Sequence, residues 1–255
     1  KRTAHNTTRL KDRLYVNLNY RFKDSTVSNS PKPGYKYMEP GLYMFPAYQD
    51  TIRSCILHSP LNPKKEYAYS DLGFILLKFA VEHVTEKSLD QYCQEEFYRK
   101  LGMYHTDFLA HKRLNKNNLV PSCVDKLYRK TELKGYVHDP IAALLGGIAG
   151  HAGLFSTAED LAKMMQLYLN GGTYGGEYYF SPETMVTFSC KNNLFPKNRR
   201  GLGFDKPEPD QTKINPVSKC LPLTSFGHTG FTGIMAWCDP DNKLLYLFLS
   251  NRTYP

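Results

Sequence analysis

Two short segments of this 255-residue chain carry residue types that could do bond-making chemistry. Tyr69-Ser70-Asp71 sets a phenol, a hydroxyl and a carboxylate directly ahead of an apolar helical run. Phe226-Gly227-His228-Thr229-Gly230-Phe231-Thr232-Gly233 places an imidazole at the end of a strand-like run, followed by glycines that let a ligand approach the backbone closely. Phenol, carboxylate and imidazole can each pass a proton to or from a reacting group. Taken singly, each segment also fits a packing tyrosine or a satisfied histidine. His138-Asp139 and His151 flank a glycine-rich passage and are further candidates for a cleft, their plainer reading being hydrogen bonds that hold a loop. No H-E-x-x-H or other compact ligand set suggests metal, and no cofactor is expected.

The elements that must position these groups follow from periodicity and capping. Apolar residues Ile52, Cys55 and Ile56 recur at helical spacing, closed off by Ser59-Pro60-Leu61-Asn62-Pro63. Phe74 to Val84 is apolar almost all round, which predicts a helix inside a core. Ser88-Leu89-Asp90-Gln91 is a capping box for a second helix running towards Leu101-Gly102. Ser156-Thr157-Ala158-Glu159 caps a third, with the stripe Leu161, Met164, Met165, Tyr168 and Leu169. Ser181-Pro182-Glu183 starts a short helix with proline in its first turn.

Three strand-like runs follow, Leu223 to His228, Gly233 to Cys238 and Lys243 to Ser250, the last two joined by the hairpin turn Asp239-Pro240-Asp241-Asn242. The last run needs cover on both faces. Residues 1–43, polar and tyrosine-rich, read as loops or an excursion outside the core.

Composition bounds the class. With 41% hydrophobic and 22% charged residues the chain is an ordinary folded one, long enough to bury roughly 70–75% of its unfolded surface. Lys and Arg exceed Asp and Glu by 33 to 24, a net charge of +9, but the basic residues are scattered and no nucleic-acid motif accompanies them, so a basic surface is the reading. No apolar run has the length of a membrane span. The six cysteines lack C-x-x-C or finger spacing and read as buried free thiols. The chain begins Lys1-Arg2-Thr3 without methionine and is expected to be a piece of something larger.

The two segments together resemble the serine β-lactamase and penicillin-binding-protein superfamily, closest to its class C β-lactamase, DD-peptidase and esterase branch. Tyr69-Ser70-Asp71 looks like the family's Tyr-x-Asn element and His228-Thr229-Gly230 like its Lys-Thr-Gly element. The resemblance extends through Gly150-His151-Ala152-Gly153-Leu154-Phe155-Ser156-Thr157 and Ser250-Asn251-Arg252, over about residues 45–255. It implies an α+β fold (an α/β sandwich), β-lactamase/transpeptidase-like, with an antiparallel sheet flanked by helices plus a helical region.

One domain is expected, incomplete at both ends: an irregular excursion at 1–44, a mainly helical region at 45–200 and a sheet region at 201–255. The resemblance also implies catalytic roles for Tyr69, Asp71 and His228, with Ser70, Thr229, Gly230 and Phe231 binding substrate. The Phe231 N–H would form half of an oxyanion hole. A Ser-x-x-Lys nucleophile is expected upstream, since no serine here has lysine three positions later.

Asp71 departs from the usual Asn and can only accept when ionised, so it would attract a cation, whereas Asn can donate. The Ser-Asp-Asn register fails because position 72 is Leu. His228 replaces Lys and brings less positive charge at neutral pH. Esterase, amidase or peptidase activity is therefore favoured over true β-lactamase activity, with a small-molecule or peptidoglycan-derived substrate. The alternative is a non-catalytic muropeptide-binding module. A bacterial envelope location, periplasmic or lipid-anchored, and fusion to a glycoside hydrolase domain are further implications of the resemblance.

Overall fold

A computed structural model describes residues 26–61, 63, 66–195 and 198–255, with the backbone of the antiparallel pair β1 (Arg9–Leu10) and β2 (Arg13–Leu14). The other residues of the expected N-terminal excursion lie outside the described set.

The stretch read as lying outside the core contributes to it. β3 (Val27–Ser28), β5 (Leu42–Met44) and β4 (Lys36–Glu39) form an antiparallel sheet in that order. Val27, Leu42 and Met44 are buried with Ile75, Val137 and Ala142 to Leu145. The run is short and broken by Pro31 and Pro33, which hides its period-2 pattern.

Helix α1 (Tyr48–Leu57) follows, then α2 (Leu72–Thr85), which starts directly after Asp71 without a side-chain cap. The capping box at Ser88 forms as read and opens α3 (Leu89–Cys93), which continues into a π-helical turn over Gln94–Tyr98. Gly102 closes this segment at φ +67°, the left-handed conformation that favours glycine. After α4 (Ala110–Arg113), β6 (Pro121–Asp125) and β7 (Thr131–Lys134) form a hairpin. Asp139 caps α5 (Pro140–Leu144) by accepting from the Ala142 N–H, and Thr157 caps α6 (Ala158–Leu169) through the Asp160 N–H. β8 (Thr173–Tyr174) pairs with β9 (Glu177–Tyr178), and α7 (Pro182–Ser189) has Ser181 as its cap.

The C-terminal sheet is β10 (Phe226–Gly230), β11 (Ile234–Asp239) and β12 (Leu244–Leu249), antiparallel in that order. The Asp239 carboxylate accepts the N–H groups of Asp241 and Asn242, which fixes the predicted turn. Met165 on α6 packs with Phe226 and Cys238, against Leu245 and Leu247. One face of the sheet is thus covered by α6. On the other face of β12, Leu244, Tyr246 and Phe248 are exposed.

Two readings need correction. The apolar helix predicted inside a core is α2, yet only Ile75 of it is buried, and Leu72, Phe74, Leu77 and Val84 are exposed. Its composition favours burial, but among the described residues contacts reach one side only. The cysteines are free among the described residues, but only Cys123 and Cys238 are buried, while Cys55, Cys190 and Cys220 are exposed.

Beneath the loops lies an ionic cluster. Arg129 donates to Asp125, Glu39 and the Val137 and His138 carbonyls at 2.6–2.7 Å, with its side chain only 2% exposed. Burial pushes the Glu39 carboxyl up against the pull of Arg129. Burial opposes ionisation of Asp125 too, but there Arg129 and backbone N–H groups prevail and hold it low.

Candidate active site

β10 owes its position to a close backbone approach. A Cβ on Gly227 would fall 2.2 Å from the Ala236 carbonyl oxygen and 2.6 Å from the Trp237 ring, so only glycine fits. On its other side Gly227 exchanges backbone hydrogen bonds with Asp205, at 2.7 and 3.1 Å, and this bridge brings the segment from Asn198 to Lys206 alongside the sheet.

That segment supplies what the sequence reading missed. The Arg200 Nη1 donates to His228 Nε2 at 2.8 Å, and its Nη2 donates to Asp205 at 2.8 Å. The His228 Nδ1–H donates to the Thr229 carbonyl at 2.7 Å. A guanidinium can only donate and a carbonyl can only accept, so both contacts call for an imidazole with its proton on Nδ1 alone. Asp205 is bridged on its far side by Arg199, at 2.8 Å through both Nε and Nη2. Lys206 ties this segment to the end of α7 and to the residues ahead of β10, its ammonium donating to the carbonyls of Ser189, Thr224 and Ser225 at 3.0–3.1 Å.

The two segments singled out in the sequence meet here. The Tyr69 ring centroid is 6.3 Å from that of His228, and the Arg200 guanidinium lies 5.1 Å from the Tyr69 ring centroid. Tyr69 is 56% exposed, as an open cleft residue would be. Burial and the neighbouring Asp71 carboxylate push its phenol above the ordinary value, and Arg200 offsets them only in part. The phenol is therefore protonated at neutral pH. Ser70 accepts from the Leu72 N–H at 3.3 Å, helping to start α2. Asp71 is exposed at the helix start, where a negative charge suits the dipole, and among the described residues it has no ion-pair partner.

Thr229 and Gly230 follow His228 along the strand, Phe231 opens the turn after it, and all three are exposed. Phe231, 70% exposed, is held through its carbonyl by the Arg252 Nε and Nη2, at 2.9 and 2.7 Å. The His138 ring lies 5.2 Å from the Phe231 ring, which brings one loop candidate to the far end of the site. Burial and the Arg129 cation hold the His138 imidazole below its ordinary value. Asp139 and His151 instead bond each other at 2.9 Å, and Asp139 also caps α5. They hold the glycine-rich loop, as the plainer reading had it.

Arg200 and Asp205 were missed, and Arg252 was named only within the Ser250-Asn251-Arg252 resemblance and not as a site residue. The adjacent Arg199-Arg200, five residues before Asp205 in a glycine-rich run, was the available signal. Among the described residues no group of His, Cys, Asp and Glu is placed to hold a metal ion, and no helix is long and apolar enough to cross a membrane.

Comparisons with known proteins bear on the family and the fold. A family model described as Beta-lactamase matches residues 32–255. A protein of Escherichia coli (strain K12) named "Putative D-alanyl-D-alanine carboxypeptidase" is 36% identical over 215 residues, covering 78% of this chain and 48% of its own length. A bearer of the same name from Salmonella gallinarum is 31% identical over 233 residues, covering 83% of this chain and 51% of its own length. This chain thus spans about half the length of the curated relatives it matches. Among solved structures, a penicillin-binding protein homolog from Caulobacter crescentus aligns with a TM-score of 0.52 at 18% identity, covering 75% of this chain and 55% of its own, a likeness of fold.

Proposed function

This chain belongs to the beta-lactamase family, and from that premise we propose that it forms the Tyr69 and His228 walls of a serine hydrolase cleft that cleaves D-alanyl-D-alanine-type peptides through an acyl-enzyme. The observation that carries this reading is the meeting of Tyr69, His228 and Arg200 at the edge of β10. Arg200 supplies the charge that His228, in place of lysine, does not. A carboxylate at the end of a peptide fits a guanidinium at this position.

The roles follow. The attacking serine, with its lysine, comes from sequence outside these 255 residues, none of whose serines is followed by lysine three positions on. The serine oxygen adds to the scissile carbonyl while its proton passes to the lysine and Tyr69 pair. The Phe231 N–H donates to the developing oxyanion. Tyr69 then gives the proton to the leaving amine as the C–N bond breaks, and water hydrolyses the acyl-enzyme. Supplied with the lysine's cation, the Tyr69 phenol falls towards the range in which it can also accept a proton. Thr229 and Gly230 line the edge along which the peptide lies. Such a substrate places the protein in a bacterial envelope.

In the complete protein, Tyr69→Phe and His228→Ala are each expected to slow release of D-alanine from an N-acyl-D-alanyl-D-alanine by about 100-fold or more, the usual worth of a positioned proton-transfer group. Unchanged turnover in both variants would move the active site elsewhere. The second reading is a muropeptide-binding module without catalysis. A complete protein that carries no Ser-x-x-Lys and binds without turnover would establish it.

A further inference from the structure

A second guanidinium stands at the turn that follows β10. Arg252 is exposed, and its Nε and Nη2 hold the Phe231 carbonyl. Its guanidinium carbon lies 5.4 Å from the centroid of the Phe231 ring, itself 70% exposed. No carboxylate among the described residues lies within ion-pair distance of Arg252, whereas Arg200 is tied to Asp205. The carbonyl uses only part of a fork that carries five N–H donors. The Arg252 backbone N–H also donates to the Thr232 carbonyl at 3.1 Å, so the residue is fastened to the turn whose ring it covers.

Arg200 contacts His228 on β10, and Arg252 contacts Phe231 in the turn that follows the strand. The backbone that would hold the scissile carbonyl, from His228 to Phe231, lies between the two contacts. Leaving an exposed, uncompensated cation on an exposed aromatic ring makes a seat for a ligand with an apolar arm ending in an anion.

We propose that Arg252, with the Phe231 ring as its platform, is a specificity subsite for an acyl group that carries its own carboxylate, so that the preferred substrate is a dianion with one carboxylate on each side of the scissile bond. This rests on the proposed cleft, in which Arg200 takes the carboxylate of the leaving group. His138, set against Phe231, walls the subsite without adding charge, since burial and Arg129 keep its imidazole low.

The test compares N-succinyl-D-alanyl-D-alanine with its N-succinamoyl isostere, which differs by one negative charge, on the complete protein. The succinyl compound is expected to have about tenfold higher kcat/KM, a preference that shrinks as salt is raised. Arg252→Gln brings the ratio close to one whatever happens to the absolute rates, and Arg252→Lys retains part of it. Arg200→Gln slows both compounds and leaves the ratio in place. Equal kcat/KM for the two compounds in the wild type, or a preference that survives Arg252→Gln, overturns the subsite. Should Arg252→Gln fail to fold, the wild-type ratio and its salt dependence decide. If neither compound is turned over, the hydrolase reading fails, and calorimetric titration of the same two compounds judges the subsite alone. Tighter binding of the succinyl form supports it, and equal binding removes it.

Discussion

Two arginine clusters in this chain use the same chemistry to different ends. Arg129 is enclosed: four of its N–H donors serve Glu39, Asp125 and two carbonyls, and its side chain is 2% exposed. Arg200 is braced by one carboxylate and one imidazole, is 19% exposed, and turns towards an exposed tyrosine. Counting salt bridges would treat them alike. What separates them is whether donors and open surface remain after the protein's own partners are served. Arg129 has no open surface left for a ligand and joins β4, the β6–β7 hairpin and the His138 loop. Arg200 is held from behind by Asp205 and keeps an open side towards Tyr69.

The contrast predicts opposite outcomes for equivalent changes. Arg129→Ala strands two buried carboxylates and should cost roughly 3–5 kcal/mol of folding stability, read by chemical denaturation. A variant as stable as the wild type would break the distinction. Arg200→Ala leaves Asp205 still paired with Arg199. It is expected to cost no more than about 1–2 kcal/mol in stability. In the complete protein, however, kcat/KM on a peptide with a free carboxyl terminus should fall roughly 30-fold, with a much smaller fall on an uncharged ester. Equal losses on both substrates would argue that Arg200 merely supports the fold.

The smallest effect belongs to the loop between the clusters. Burial raises the Asp139 carboxyl, but the His151 bond and the Ala142 and Ile141 N–H groups outweigh it and hold the group below 3.8. The folded state therefore binds that proton less readily than the unfolded chain does. The stability it confers is complete above 3.8 and is lost as pH falls through the lowered value. Asp125 acts in the same direction. Melting temperatures followed from pH 6 to pH 2 should therefore fall on the acid side, and Asp139→Asn, which keeps a capping oxygen, should flatten part of that fall by less than Arg129→Ala does. An acid limb unaltered by Asp139→Asn would remove Asp139 from this account.

Local signals were legible wherever the partners lie within a few residues. The Ser88 capping box, the Thr157 and Ser181 caps, the Gly102 stop and the Asp239 turn each close hydrogen bonds inside a short window, and all formed as read. Burial was less legible. Val27 and Leu42 enter the core from a stretch too short and too proline-broken to show its period, and α2 exposes Leu77 and Val84 despite an apolar pattern. Composition states what a helix would gain by burial, but the neighbouring elements decide which faces are covered.

The sequence by itself determined the family-like constellation, namely Tyr69-Ser70-Asp71 at a helix start and His228-Thr229-Gly230 on a strand, because motif and element share one local stretch of backbone. The tertiary structure alone decided the electrostatics around them. Arg200 reaches His228 across 28 positions only because Gly227 lets Asp205 bridge the strand edge, and Arg252 reaches Phe231 only because β12 returns beside β11. Charge acts through space rather than along the chain, so the cations that flank this site could be placed only after the sheet had been built.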